Sequence, residues 1–230
     1  MNASKPPGGI PSERRVTLFR EKLTRWFLGH RRTFPWRETN ASLYVLLVTE
    51  VLLQRTRAET ISGFLPIFLR KYPNWETIAA SDLGDLEETL RPIGLWRRRA
   101  PPLHGLAVQL VARDGQWPRK REELEALPAV GQYVANAALL FAHDEPHPLM
   151  DSSMARLLRR YFAILPVKAD IRHDQALHAI AYKVLTKGAA IELNWAILDT
   201  SARYCRPRQP LCFDCPLKRS CAHGGFVSEP

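Results

Sequence analysis

Hydrophobic positions recur at three- and four-residue intervals along most of the chain. Val16, Phe19, Leu23, Trp26 and Phe27 share one face of a helix that starts after Ser12 and ends near Gly29. The loop RRTFPWRETN follows, where Pro35 and the polar cluster stop any helix. Apolar residues crowd 43 to 53 and 61 to 69 without the alternation of a strand, so 41 to 69 reads as two helices, the second kinked at Pro66. Further helical pieces are predicted at about 74 to 80, 82 to 90 and 95 to 112, with Pro101 and Pro102 bending or restarting the last. A break at Asp114, Gly115 and Trp117-Pro118 precedes REELEAL, the turn LPAVG and the Ala-rich helix QYVANAALLFA. Asp151 is well placed to cap MDSSMARLLRRYF, and helices at about 173 to 187 and 189 to 203 lead into a Cys-rich end. No strand signal and no repeat of fixed period survive, so the predicted fold is all-α.

Composition narrows the class. The 46% hydrophobic content of 230 residues buries a sizeable core, which argues against a fibrous or wholly disordered chain. Residues 1 to 11 hold three Pro and two Gly with no core pattern and read as a disordered leader. No apolar run approaches bilayer length and the N-terminus has no apolar h-region, so an intracellular place and no membrane partner are expected. A surplus of 33 Lys and Arg over 23 Asp and Glu leaves a net charge of +10 and suggests a polyanionic partner, most often nucleic acid.

All four cysteines lie in the last 26 residues, as Cys205, Cys212, Cys215 and Cys221 with the spacing C-x6-C-x2-C-x5-C. Such clustering argues for one shared metal centre. Zinc ribbons usually carry two C-x2-C knuckles and this chain has one, yet four thiolates in a compact loop suit zinc and a [4Fe-4S] cluster about equally.

This spacing, at the C-terminal end of a basic, all-helical chain, resembles the cluster loop of the endonuclease III family of base-excision DNA glycosylases. The resemblance implies a [4Fe-4S] cluster on those four cysteines, mainly structural, in a loop whose Arg206, Arg208, Lys218 and Arg219 meet DNA phosphates. A second likeness is LPAVG, Leu127 to Gly131, which is similar to the family's helix-hairpin-helix turn L-P-G-V-G and lies in a hairpin spanning 124 to 142. Such a turn aims backbone N–H groups and a helix N-terminus at a phosphate, which makes Leu127, Ala129 and Gly131 candidate DNA contacts. Ala129 departs from the family's glycine, the residue favoured where the backbone needs positive φ or close approach.

Two positions after Gly131, where bifunctional members carry a Schiff-base lysine, this chain has Tyr133. A phenol forms no imine, so the resemblance implies a monofunctional enzyme. Tyr at this position resembles thymine-DNA glycosylases acting on G·T mismatches and some adenine glycosylases of the MutY type. Asp151, 20 residues after Gly131, matches the family's catalytic aspartate, whose carboxylate stabilises an oxocarbenium-like sugar. Its stretch MDSSMARLLRRYF is similar to V-D-x-N-V/F-x-R-V-x-x-R in Asp151, Arg156 and Arg160, with Ser153 in place of Asn. Glu50, in TEVLLQRT, matches a carboxyl beside the flipped base, and Gln54 and Arg55 fall where the family wedges side chains into the duplex. FPWR and IGLWRRRA, the latter bringing Trp96 to the DNA, resemble the thymine-mismatch branch.

The resemblance implies two helical lobes. One is a six-helix domain of residues 40 to 149, the other a cluster-bearing domain of 12 to 39 plus 150 to 230. It further implies a monomeric enzyme of base excision repair acting on double-stranded DNA with a mismatched or damaged base, with thymine or uracil opposite guanine as the leading substrate. An adenine-DNA glycosylase acting opposite G or 8-oxoguanine is the alternative, against which the chain ends nine residues after Cys221, with no further C-terminal domain expected. A non-catalytic binder of DNA structure or damage is the alternative of another class.

Overall fold

The computed structural model of the chain describes residues 11–165 and 169–224. Among the described residues there are eleven α-helices and no strand. They are α1 (Glu13–His30), α2 (Leu43–Leu52), α3 (Ala58–Lys71), α4 (Trp75–Ala79), α5 (Leu83–Leu90), α6 (Trp96–Val111), α7 (Arg121–Glu125), α8 (Gln132–His143), α9 (Ser152–Phe162), α10 (Gln175–Val184) and α11 (Ala190–Arg203). None of these helices is long and apolar enough to cross a membrane.

The chain divides into two compact units, one running to Arg32 and resuming at Glu145, the other spanning Thr33–Asp144. These divisions fall earlier than 39/40 and 149/150, for reasons visible on each side. Arg32 is held in the first unit by the buried Asp199 of α11, through its backbone N–H at 2.9 Å and its Nε at 2.8 Å. Phe34 and Trp36 are buried in the second unit and stack at 4.5 Å in a short 3-10 turn that packs on α2, where the sequence suggested only a loop. His147 returns to the first unit, bonded to the Tyr182 hydroxyl at 2.8 Å and accepting on its carbonyl from Asn194 Nδ2 at 3.1 Å.

In the first unit α1 packs on α10 and α11, and α9 packs on the same two helices. The five apolar residues of the α1 stripe are its buried residues. Each contributes roughly 1.5–3 kcal/mol on full burial. The leader expected at residues 1 to 11 lies outside the described residues except for Pro11, which is buried and accepts from Lys183 Nζ at 3.4 Å, so it belongs to the folded unit.

Prolines interrupt less than the sequence suggested. Pro66 sits inside a continuous α3, and α6 runs unbroken through Pro101 and Pro102. The two carbonyls that this pair leaves without a helical donor belong to Arg97 and Arg98, in the exposed first turn of the helix.

Candidate functional site

In the unit of residues 33–144, α2 is apolar almost throughout, so the helix carries Glu50 into the interior at 3% exposure. A buried carboxylate costs several kcal/mol unless hydrogen bonds compensate it. Tyr133, on the first turn of α8, supplies one: its hydroxyl donates to Glu50 Oε2 at 2.9 Å. The pair joins the two residues of this unit to which the resemblance gives a part in the chemistry. A phenol against a carboxylate fixes the acid's orientation and can hold or relay a proton.

The hairpin itself is stapled by Arg121 of α7, which donates to Glu125 Oε1 at 3.0 Å and to Asn136 Oδ1 of α8 at 2.6 Å. A Cβ on Gly105 of α6 would lie 3.3 Å from Pro128 Cγ, so α6 and the turn approach closely at this glycine. Leu127, a candidate DNA contact by the resemblance, lies inside the turn. Its side chain is buried, its N–H bonds the Leu124 carbonyl and its own carbonyl accepts from the Val130 N–H, so it shapes the turn. Ala129 takes φ 61°, the left-handed conformation that glycine adopts without cost, so the alanine preserves the turn at the expense of strain. Gly131 caps α8 at φ −97°, which any residue can adopt, and a Cβ there would meet nothing within 4 Å. Gly131 is exposed, and the place a Cβ would take is open.

Gln54 and Arg55 are exposed in the turn after α2. Gln54 Nε2 donates to the Ala129 carbonyl at 2.9 Å, tying this turn to the hairpin, and Arg55 is left-handed at φ 58°. Trp96 opens α6 with the guanidinium of Arg97 4.3 Å and that of Arg91 5.2 Å from its ring centre. Sequence reasoning missed Arg99, whose side chain bonds four oxygens of the neighbouring turns. The available signal was an arginine with no carboxylate three or four positions away on its own helix.

In the other unit, Asp151 is the N-cap of α9. Oδ1 accepts from the backbone N–H of Ser153 at 2.8 Å and of Met154 at 2.7 Å. Burial raises the carboxyl above its usual range, and these two bonds together with Arg156 oppose the shift without cancelling it. The residues that fix the cap were not apparent in the sequence. Asn194 Oδ1, fully buried in α11, accepts from the Leu149 N–H at 2.7 Å, and Ser201 Oγ donates to the Ser153 carbonyl at 2.7 Å. Both sides of Asp151 are thus pinned to one helix.

Arg156 and Arg160 reach from α9 to the cysteine loop. Arg156 Nε donates to the Cys205 carbonyl at 2.7 Å, while Arg160 donates to the carbonyls of Arg206 at 2.7 Å and Pro207 at 3.1 Å and approaches Cys205 Sγ at 3.4 Å. All four cysteines are free thiols. Among the described residues no group of three or more His, Cys, Asp or Glu is gathered closely enough to hold a metal ion. The thiols nevertheless feel one another. Burial, then the neighbouring sulfurs, push Cys215 up to about 12, and the same two causes raise Cys212 and Cys221. One buried and three half-buried thiols, with no disulfide among them and a cationic centre needed to ionise them, are a donor set that an iron-sulfur group fits. Arg206, Arg208 and Arg219 are exposed around this loop, and Lys218 Nζ sits 4.4 Å from the Phe213 ring centre.

The family described as HhH-GPD superfamily base excision DNA repair protein matches residues 48–181. The chain is 34% identical to the thymine-DNA glycosylase of Aeropyrum pernix, over 91% of this chain and 95% of that one. It is 31% identical to the thymine/uracil-DNA glycosylase of Pyrobaculum aerophilum, over 90% and 92%. Among solved structures, a thermostable thymine-DNA glycosylase matches with a TM-score of 0.82 at 28% identity, covering 93% of this chain and 98% of that one.

Proposed function

Because the chain belongs to the HhH-GPD superfamily of base excision DNA repair proteins, we propose that it is a monofunctional DNA glycosylase that removes thymine or uracil opposite guanine and leaves an abasic site. The observation that carries the reading is the Tyr133–Glu50 pair, because a phenol bonded to a carboxylate stands where a strand-cleaving member would carry an amine. The names of the two relatives support the choice of base.

The chemistry divides among residues by what each group can do. Once the nucleotide is extruded from the stack, Glu50 and Tyr133 address the base, donating or relaying a proton that makes the pyrimidine a better leaving group. Asp151 addresses the sugar. Its carboxylate offsets the positive charge that grows at C1′ and orients the attacking water. The two backbone bonds on Oδ1 keep the group fixed, so little reorganisation is needed as charge develops.

Grip on the duplex is sequence-independent. The open approach to Gly131 and the start of α8 suits a backbone phosphate, and Arg206, Arg208 and Arg219 add positive charge at the cysteine loop. Gln54, Arg55 and Trp96 are assigned to the duplex around the vacated position. Cys205, Cys212, Cys215 and Cys221 would hold a [4Fe-4S] cluster, which supplies a covalent tie that fixes the basic loop. The enzyme acts as a monomer in this reading. Single-turnover release from four duplexes differing only in G·T, G·U, G·A or 8-oxoguanine·A tests the choice of base. Release of thymine and uracil supports it, and release of adenine alone assigns the chain to the other branch.

A further inference from the structure

We propose that Arg99 is a positioning residue that sets the mutual geometry of three DNA-facing loops, a role that rests on the glycosylase reading and goes beyond it. Its guanidinium donates through Nε to the Gly94 carbonyl at 3.1 Å and through Nη1 to the Leu52 carbonyl at 2.8 Å. Nη2 donates to the Gln54 carbonyl and to Thr56 Oγ1, each at 2.6 Å. One rigid fork thus serves two turns that are 38 or more positions apart in sequence, since Thr56 and Gly94 are the nearest of its acceptors across that gap.

The acceptors flank strained backbone. Gln54 and Thr56 straddle Arg55 at φ 58°, and Gly94 immediately precedes Leu95 at φ 53°. A residue with a Cβ in the left-handed region is strained and persists where its surroundings impose it. The bonded series continues from Gln54 Nε2 to the carbonyl of Ala129, the third such residue, at φ 61°. Arg55, Leu95 and Ala129 are three of seven non-glycine residues with positive φ among the described residues, and one chain of hydrogen bonds centred on Arg99 connects them. Exposed Gln54, Arg55 and Leu95 are the side chains that this frame holds outward.

Charge points the same way. Every acceptor of Arg99 is a neutral oxygen, and no carboxylate pairs with it among the described residues. Half-burial without a counter-ion disfavours the cation, which burial expresses as a lowered pKa. A phosphate backbone supplies the missing counter-charge when DNA binds.

The test compares wild type, Arg99→Gln, Arg99→Lys and Thr56→Val on an undamaged duplex and on one carrying a tetrahydrofuran abasic analogue opposite guanine, at fixed salt. Arg99→Gln is expected to lose about tenfold or more of the preference for the analogue, as several charge-assisted bonds vanish together, while affinity for undamaged DNA changes by about two- to threefold. Arg99→Lys keeps the charge but not the fork and is expected not to rescue the preference. Rescue by lysine, an unchanged preference in Arg99→Gln, or a wild-type protein without preference overturns the proposal. Circular dichroism checks folding. Should the Arg99 variants fail to fold, Thr56→Val decides, with a loss of about threefold supporting the proposal and wild-type behaviour overturning it. Release of thymine and uracil is read on the same preparations. Arg99-dependent preference without release of either base sinks the substrate reading and leaves the positioning role standing.

Discussion

The Tyr133 hydroxyl and Glu50 Oε2 meet at 2.9 Å although 83 positions separate them, and the bond ties the first turn of α8 to a carboxylate buried in α2. Removing the donor with Tyr133→Phe leaves that carboxylate short of a partner. The expected cost is about 1–3 kcal/mol of stability, read as a lower melting temperature, together with a roughly 10- to 100-fold slower single-turnover rate. Tyr133→Lys is expected to create a product that borohydride traps on DNA, because an amine at this place can attack C1′. A Tyr133→Phe enzyme with wild-type rate would remove the pair from the chemistry.

Asp151→Asn separates catalysis from stability. Asparagine caps a helix as well as aspartate does, so α9 keeps its start while base release falls by at least about 100-fold. The pH dependence follows from the raised carboxyl. The folded chain holds this proton more tightly than the unfolded chain. Below the ordinary carboxylate range both states are protonated and the group costs nothing; above its raised folded value the cost is complete. The variant is therefore expected to melt at or above wild type near neutral pH, with the difference shrinking as pH falls. Wild-type base release should fall with acid through a value above the usual carboxylate range. A stability gain that grows toward acid would show the sign to be wrong.

Ala129→Gly relieves the left-handed strain at the hairpin, φ 61°, against glycine's greater loss of entropy on folding. The expected balance is a gain of about 0.5–1 kcal/mol, a rise in melting temperature of roughly 1–4 °C for a chain of this size, with DNA affinity retained. A lower melting temperature would mean that the turn depends on the alanine side chain.

The contrast between these residues shows how far the sequence could be read. The α1 stripe and the Asp151 cap were legible because both are local: one is a 3.6-residue periodicity, the other an Asp before a polar start. The positive φ of Ala129 could be suspected only through the glycine it replaces in a similar motif. Arg99 and Asn194 left little to read, since nearly all their partners are main-chain groups brought together by the fold, and the one trace of Arg99 is the lack of a carboxylate nearby on its own helix. The inward side chain of Leu127 was hidden for the opposite reason, because membership of a DNA-contacting motif says nothing about which of its residues face inward. Pro101 and Pro102 read as a bend or restart, yet their helix continues because the carbonyls they leave unpaired fall in its first turn.

The cysteine loop makes a compositional prediction. Protein isolated without oxygen is expected to contain iron and sulfide in equal amounts, and Cys215→Ser to lose both along with affinity for every duplex tested. Stoichiometric zinc in their place would replace the cluster assignment. Replacing exposed Arg206 or Arg208 by Ala should weaken binding alike for all sequences and lower the salt dependence by about one counter-ion each.

The central claim, hydrolysis of the glycosidic bond without strand cleavage at a pyrimidine opposite guanine, is tested most directly by single-turnover reactions on G·T and G·U duplexes. Each is resolved with and without alkali and with borohydride present. The expected result is a nick that appears only after alkali, with no trapped protein-DNA adduct. Nicks without alkali accompanied by a borohydride adduct, or intact strands after alkali on both duplexes, would contradict it.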